Sequence, residues 1–277
     1  MSSTSAFRIG STTFTHSGGR DYNEDAIGQC EAFGAVQLFL LADGAGGQGG
    51  GDVASRTAID AAKTVFMGLP VFSPDTLQLC IEKADEAVTQ KQKNEPRLAH
   101  MASTFVAVMI NYERRQALLG NLGDSRCYIF RGDRVIAQSY DHSLVQRFVD
   151  AGLYPVDKLR QHPRRNVLYA SLGANAERIS PYITKTPIEL QTGDAVMLCS
   201  DGVWELLEDQ VLCELNRTSE TLEIWASRLQ QLVQTRMPSG HDNFSAILVR
   251  VLANEQDESG DELSTVIPVM WGYAPQS

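Results

Sequence analysis

Cysteine is scarce in this sequence of 277 residues, and it is not arranged in pairs. There are five cysteines, an odd number, and no two of them have CxxC spacing. A disulfide framework and a structural zinc site are therefore both unexpected. The pattern favours a reducing compartment.

Long apolar runs are also missing. The best of them, around 36–42 and 105–110, are far shorter than the roughly 20 residues that a membrane-spanning helix needs. The N-terminal stretch has no apolar core of the kind found in signal peptides. We therefore expect a cytoplasmic protein that does not contact a membrane.

Basic residues are in the minority. Lysine and arginine number 24 against 34 aspartates and glutamates, which gives a formal net charge of -10. Nucleic-acid-binding proteins usually carry a basic excess, so we expect no nucleic-acid partner. An acidic chain can still hold its carboxylates in a metal site, so phosphate chemistry is not excluded.

The apolar pattern predicts a mixed fold. Short runs rich in β-branched and aliphatic residues predict strands at 36–42, 104–110, 117–122, 128–130, 195–199 and 245–251. Helical periodicity predicts helices at 52–67, 75–93, 144–151 and 221–236, and Gly132-Asp133 predicts a hairpin turn. This layout, with two helices after the first strand and then a run of strands, favours sheets flanked by helices over a regular βαβ repeat.

The distinctive feature is where the acidic residues stand. Asp43 and Asp201 each follow an apolar run, Asp124 lies in a GDSR tetrapeptide, and Asp242 precedes the strand run FSAILVRV. Any one of them could simply be a turn residue. Together, carboxylates at strand ends can converge at one edge of a sheet.

Converging carboxylates need compensation. Two of them about 5 Å apart, at an effective dielectric of about 20, repel by roughly 3 kcal/mol. Oxygen ligands without nearby histidine or cysteine suit hard cations such as magnesium or manganese. The acidic pattern therefore predicts a divalent metal site.

The ordered motifs resemble the metal-dependent protein phosphatase family of type 2C, and the segment from 141 to 173 resembles its bacterial branch. Five motifs over about residues 8–252 carry this resemblance: Arg20 with Asn23-Glu24-Asp25, Asp43-Gly44-Ala45-Gly46-Gly47, Gly123-Asp124-Ser125-Arg126, Ser200-Asp201-Gly202-Val203-Trp204-Glu205, and Asp242-Asn243.

The resemblance implies a fold and an activity. The fold is α+β, a four-layer α-β-β-α sandwich of two packed, mostly antiparallel sheets flanked by helices. The activity is hydrolysis of phosphoserine and phosphothreonine in proteins by a water that two Mn²⁺ or Mg²⁺ ions activate. The implied partners are phosphorylated proteins, among them a bacterial Ser/Thr kinase that the phosphatase opposes in signalling, and its targets.

The resemblance also assigns site residues. Arg20 binds the phosphate, Asp43 bridges the two metals, and the backbone carbonyl of Gly44 binds one of them. Asp201 and Asp242 hold the other metal, while Asp124, with Asp201, can hold a weaker third. Glu24 and Asp25 act on the metals mostly through water.

The sequence departs from the eukaryotic pattern at Ala45, where histidine usually stands and is thought to protonate the leaving group. A metal-bound water is the substitute that we expect. His16 is interpreted as a surface residue, and His142, His162 and His241 as structural.

The predicted phosphatase domain covers 1–252, with an acidic and then apolar C-terminal tail at 253–277. Within the domain, 142–175 is predicted to be a mobile flap that selects protein substrates. Its basic residues include Lys158, Arg160, Arg164 and Arg165.

Three alternatives have different sequence requirements. A nucleotide-binding enzyme would explain the GxGxxG match at 44–49, but the acidic strand end expected about 20 residues later is missing. A cysteine-based phosphatase would need an arginine five residues after Cys199. A catalytically dead binding module on the same fold would be expected to have lost metal-motif acids, and here all of them are present.

Overall fold

The computed structural model describes residues 7–31, 35–46, 50–174 and 180–253. Twelve strands and six α-helices are assigned in this part of the chain. The strands are β1 Arg8–His16, β2 Asp25–Glu31, β3 Val36–Ala45, β4 Ala102–Ser103, β5 Phe105–Asn111, β6 Gln116–Leu122, β7 Arg126–Arg131, β8 Arg134–Gln138, β9 Tyr182–Ile183, β10 Ile188–Glu189, β11 Ala195–Cys199 and β12 Phe244–Leu252. The helices are α1 Gly51–Gly68, α2 Pro74–Asn94, α3 Leu144–Asp150, α4 Asp201–Trp204, α5 Asp209–Thr218 and α6 Leu222–Arg236.

The strands form two antiparallel sheets. One has the order β1-β12-β11-β7-β8, and the other has β10-β6-β5-β3-β2, with β4 beside β3 and β9 beside β6. Because successive side chains of a strand point to opposite faces, Leu38 and Leu40 of β3 pack against α1 and α2. Phe39 and Leu41 of the same strand pack against the other sheet.

Three apolar clusters match the layers of this arrangement. One lies between β3, β5 and β6 and helices α1 and α2, one between the two sheets, and one between the other sheet and helices α4 to α6. The predicted α-β-β-α sandwich is therefore confirmed. The predicted helices agree with α1, α2, α3 and α6 to within about one residue at each end.

The secondary-structure prediction was incomplete, and it also missed the two-residue strands β4, β9 and β10. It placed the first strand at 36–42, whereas β1 and β2 precede it. Strand β1 has no continuous apolar run, and it forms because it pairs with β12 along its whole length. Helices α4 and α5 were not predicted because each is short and begins at a turn-like pair, Asp201-Gly202 for α4 and Glu208-Asp209 for α5.

None of the helices in the described ranges is long and apolar enough to cross a membrane. The cytoplasmic location stays a prediction. The predicted tail at 253–277 lies outside the described residues, except for Ala253.

Candidate metal centre

A cavity of about 310 Å³ opens where the two sheets meet, and the predicted acidic residues line it. Its lining comes from all five sequence motifs and from the segment after α3. The lining residues are Arg20, Glu24, Asp43, Gly44, Ala45, Gly46, Ala102, Ser103, Thr104, Asp124, Asn166, Leu168, Ser171, Asp201 and Asp242. Every predicted site residue except Asp25 is among them.

Asp43 lies inside β3 rather than after its end, and its backbone is held on both sides. Its N–H donates to Thr104 Oγ1 at 2.9 Å, and its C=O accepts from Thr104 N at 2.8 Å and Ser103 Oγ at 2.9 Å. Thr104 Oγ1 also lies 2.7 Å from Ser125 Oγ, next to Asp124. The hydroxyl groups at 103, 104 and 125 therefore connect the strand of Asp43 to the loop of Asp124.

Asp25 reaches the same acidic group from the neighbouring strand. It stands opposite Asp43 in the β2–β3 register, and its Oδ2 accepts from Ser200 Oγ at 2.9 Å. Ser200 directly precedes Asp201, and its Oγ also accepts from Ser245 N at 3.0 Å. This contact joins the two sheets beside the cavity.

Two glycines allow the chain to come close together beside Asp43. A Cβ atom at Gly44 would lie 2.0 Å from the Gly51 carbonyl oxygen, and one at Gly51 would lie 2.6 Å from Glu24 Cδ. Any larger residue would push helix α1 away. The close approach lets Glu24 Oε1 accept from Gly51 N at 3.2 Å, so Glu24 caps the first turn of α1.

Arg20 and Asp242 lie at the other side of the cavity and form an ion pair, with Arg20 Nη2 2.9 Å from Asp242 Oδ2. Asn243 fixes the loop that carries Arg20. Its side chain accepts from Glu24 N at 2.8 Å and donates to the carbonyls of Ser17 and Tyr22 at 2.8 and 2.9 Å. Both Arg20 and Asp242 keep partial exposure, as a group that meets a substrate requires.

Asp201 is the first residue of α4, and Asp124 lies in the loop between β6 and β7. That loop turns at Gly123, whose φ of 108° strongly favours glycine. The loop is anchored by the Trp204 indole, which donates to the Asp124 carbonyl at 2.9 Å, and by the His142 N–H, which donates to the Gly123 carbonyl at 2.8 Å.

Burial and mutual repulsion shift the pKa values of these acids. Burial raises the pKa of Asp25 to about 6 and that of Asp124 to about 7. Burial, together with the negative charges of the neighbouring aspartates, raises the pKa of both Asp43 and Asp201 well above its usual range. In the absence of cations, the folded protein therefore holds protons on this group of acids.

The donor set fits hard divalent cations. Asp25 Oδ1 and Asp201 Oδ1 are buried without a hydrogen-bond partner, which is costly for a carboxylate unless a cation or a proton compensates it. Within the described part of the chain, no three His, Cys, Asp or Glu side chains are close enough to hold one ion as they stand. The carboxylates therefore share a cavity without forming a group of three that would hold an ion by themselves.

Several residues of the site were not found from the sequence. Ser103 and Thr104 were interpreted only as the start of a strand, and nothing in the sequence pointed to Asn166, Leu168 or Ser171. The structural interpretation of two histidines is confirmed. His142 Nε2 lies 3.1 Å from the Ser180 carbonyl, and His241 Nε2 lies 2.8 Å from the Gly202 carbonyl.

Comparison with known proteins identifies the family. The family model for protein phosphatase 2C matches residues 15–253. The chain belongs to the protein phosphatase 2C family. It is a serine/threonine protein phosphatase of the bacterial type, and metal dependence is characteristic of its family, whose members use manganese or magnesium.

Relatives and solved structures agree with this assignment. The serine/threonine phosphatase stp of Listeria innocua is 29% identical over 236 residues, covering 83% of this chain and 90% of the relative. The structure of Stp1 from Staphylococcus aureus has a TM-score of 0.79 at 26% identity, covering 88% of this chain and 95% of that one. A PstP catalytic domain in complex with two manganese ions has a TM-score of 0.74 at 25% identity, covering 90% of this chain and 100% of that one.

The alternatives drawn from the sequence are not supported. The family excludes a dinucleotide-binding fold for the glycine-rich loop, of which residues 47–49 lie outside the described ranges. A nucleophilic role for Cys199 is unsupported as well. This cysteine is fully buried, and burial raises the pKa of its thiol.

The pKa shifts predict how the stability of the metal-free phosphatase depends on pH. An aspartate whose pKa is higher in the folded than in the unfolded state stabilises the fold at low pH. This contribution is complete below the unfolded value of 3.8 and is lost as the pH rises through about 6 for Asp25 and about 7 for Asp124. In a chelator, Tm is therefore expected to fall between about pH 4 and about pH 8, and added Mn²⁺ should restore it.

The control for this measurement is Asp124→Asn, which removes one of the titrating groups. The buried His142 acts in the opposite direction, because burial lowers its pKa and low pH destabilises the fold that holds it neutral. The quantity to compare is therefore the slope of Tm against pH in the wild type and in the variant. Equal slopes would contradict the raised pKa of Asp124.

Proposed function

We propose that this cavity is the active site and that its carboxylates hold two Mn²⁺ or Mg²⁺ ions, with a weaker third. In this proposal Asp43 and the Gly44 carbonyl, with Asp201 and Asp242, hold the pair of ions. Asp124 and Asp201 together hold the third ion. The observation that carries the proposal is the lining of one cavity by these acids, which come from four separate segments of both sheets.

Bound ions would neutralise the charge of a phosphate monoester and lower the pKa of water, which provides the nucleophile at neutral pH. The chain itself supplies orientation. In this proposal Asp25 and Glu24 hold water near the ions through the carboxylate oxygens that do not contact Ser200 and Gly51. Arg20 presents a planar fork that suits two phosphate oxygens.

The decisive experiment measures hydrolysis of a phosphothreonine peptide with manganese, with magnesium and with a chelator. The proposal expects activity with at least one metal and none in excess chelator. Asp201→Asn, purified and shown to be folded, serves as the inactive control. Activity that survives both the chelator and this substitution would contradict the metal assignment.

Arg20→Ala tests the phosphate-binding role. Hydrogen bonds to charged groups contribute about 1.5–3 kcal/mol, so KM for a phosphothreonine peptide is expected to rise by about tenfold or more. The value of kcat should change little, because the lost contact is present in both ground and transition state. Arg20→Lys, which keeps the charge without the fork, should recover only part of the loss. Unchanged KM and kcat in Arg20→Ala would make Arg20 a surface charge.

We also propose that phosphorylated proteins, including a Ser/Thr kinase and its targets, are the substrates, and that the flap at 142–175 helps to select them. Asn166, Leu168 and Ser171 of this segment line the cavity. Two basic residues of this segment already have partners within the protein. Arg160 bonds the Trp204 carbonyl and Asp209, and Arg165 pairs with Glu205. Lys158 and Arg164 stay exposed to meet a substrate.

Charge reversal at two exposed basic positions, Lys158→Glu with Arg164→Glu, tests the flap. It is expected to lower kcat/KM for an acidic phosphoprotein by about tenfold or more through lost electrostatic attraction. A small aryl phosphate should be affected much less. Lys93→Glu with Arg134→Glu makes the same change of net charge at exposed positions outside the cavity lining. Equal losses on the protein and the aryl substrate, or in the control pair, would contradict a role in selection.

A further inference from the structure

Trp204 connects two acidic segments of the cavity that are far apart in sequence. Its indole Nε1 donates to the Asp124 carbonyl at 2.9 Å, across 80 residues of sequence. Trp204 is also the last residue of helix α4, which begins with Asp201. One buried side chain, 1% exposed, therefore ties the helix of Asp201 to the loop of Asp124.

On the basis of the function proposed above, we propose that Trp204 is a positioning residue that sets the distance between Asp124 and Asp201. These two acids line the same cavity and are the pair proposed to hold the third ion. Asp124 and Asp201 each lie two residues beyond Arg126 and Cys199, the last pair of the β7–β11 ladder, so strand pairing brings their segments to the same end of the sheet but does not include the acids themselves.

The acids of the cavity carry like charges. Asp124 and Asp201 line it together with Asp43 and Asp242. When the acids are ionised, like charges push the two segments apart. A hydrogen bond between an indole N–H and a backbone carbonyl is formed by neutral groups, so it persists whether or not the carboxylates are ionised or bound to cations.

The indole itself is held in place from two other directions. The guanidinium carbon of Arg126 lies 3.6 Å from the centre of the ring, a cation–π contact, and Arg126 is fixed in turn by Asp141. Arg160 of the flap also contacts this residue: its guanidinium carbon lies 5.9 Å from the centre of the ring, and its Nε donates to the Trp204 backbone carbonyl at 2.9 Å. The side chain therefore cannot turn away from Asp124 without breaking a packed arrangement.

A purely structural role is the competing explanation, and the chain offers a matched control for it. Trp225 is also fully buried and lies in the same apolar cluster as Trp204. Its Nε1 has no hydrogen-bond partner within the described residues, and it does not line the cavity. Trp225→Phe therefore makes the same chemical change in the same core without touching the acids.

The experiment compares Trp204→Phe with Trp225→Phe. Loss of a group that supports metal ligands typically costs 10–100-fold in metal affinity or activity. Trp204→Phe is expected to lower the Mn²⁺ affinity of the weakest site, measured by titration calorimetry, and kcat for a phosphothreonine peptide by about that factor. KM should stay within about twofold, and Trp225→Phe should match the wild type within about twofold in all three quantities.

A second variant separates the loss of the hydrogen bond from a general effect on folding. Site-specific replacement of Trp204 by 3-benzothienylalanine keeps the two-ring shape and removes only the N–H. It should reproduce the loss in Mn²⁺ affinity and kcat with a near-wild-type Tm. If this variant equals the wild type while the wild type binds Mn²⁺ and hydrolyses the peptide, the positioning role is wrong and the proposed function stands. If the wild type neither binds Mn²⁺ nor hydrolyses the peptide, the proposed function and the role of Trp204 both fail.

Discussion

Asp43→Asn is expected to lower kcat by more than about 100-fold, beyond the 10–100-fold that is typical when a group only supports a metal ligand. Asp43 is half-buried in the wall of the cavity, and the charges of Asp25, Asp124, Asp201 and Asp242 all act on it. The amide keeps the shape and the backbone hydrogen bonds of the aspartate, but it removes one negative charge that a bridging position between two cations requires.

The same variant has a second expected result that activity alone would not reveal. Burial and neighbouring charges make the ionised form of Asp43 unfavourable, so a neutral amide relieves repulsion. In a chelator at neutral pH, Asp43→Asn should therefore unfold at the same or a higher temperature than the wild type. Added Mn²⁺ should stabilise it far less than it stabilises the wild type, because stabilisation by a ligand follows its affinity for the folded state.

Asp60→Asn is the matched control, since Asp60 is an exposed carboxylate on helix α1 outside the cavity lining. It should leave kcat and the Mn²⁺ response unchanged. Near-normal kcat in a folded Asp43→Asn protein would contradict the assignment of Asp43 as a bridging ligand.

Asp141→Ala is expected to cause the largest loss of stability. Arg126 and Asp141 form a buried bidentate pair, with Nε–Oδ1 and Nη2–Oδ2 distances of 3.0 and 2.6 Å, and both side chains are at most 5% exposed. Removing the aspartate leaves a buried guanidinium that keeps its contacts with the Tyr128 hydroxyl and the Trp204 ring but has lost its carboxylate partner. Breaking a buried pair in this way costs about 3–5 kcal/mol.

The free energy of unfolding, measured by denaturant titration in a chelator, tests this expectation. Arg126→Met with Asp141→Leu should be less destabilised than Asp141→Ala, because the double change leaves no buried charge. Glu86→Ala removes an exposed pair with Lys83 and should cost less than about 1 kcal/mol. If Asp141→Ala lowered the free energy of unfolding by no more than Glu86→Ala does, the buried pair would contribute little to the stability of the fold.

The layers of the fold could be predicted because their signals are local. In β3, alternation sends Leu38 to the helices and Phe39 to the opposite sheet, and this pattern is legible in a few consecutive residues. Strand β1 could not be found in this way. Its sequence is half polar, and it becomes a strand through pairing with β12, more than 200 positions later.

The sequence by itself determined the family and the acids of the cavity, because Asp43, Asp124, Asp201 and Asp242 stand in short motifs whose order and composition are legible without coordinates. Only the tertiary structure decided how these motifs are held together. Thr104 binds the backbone of Asp43 from 61 residues away, and Trp204 binds that of Asp124 from 80 residues away. Such contacts depend on which distant strands become neighbours in a sheet, and this pairing leaves no periodic signal in the sequence around either partner.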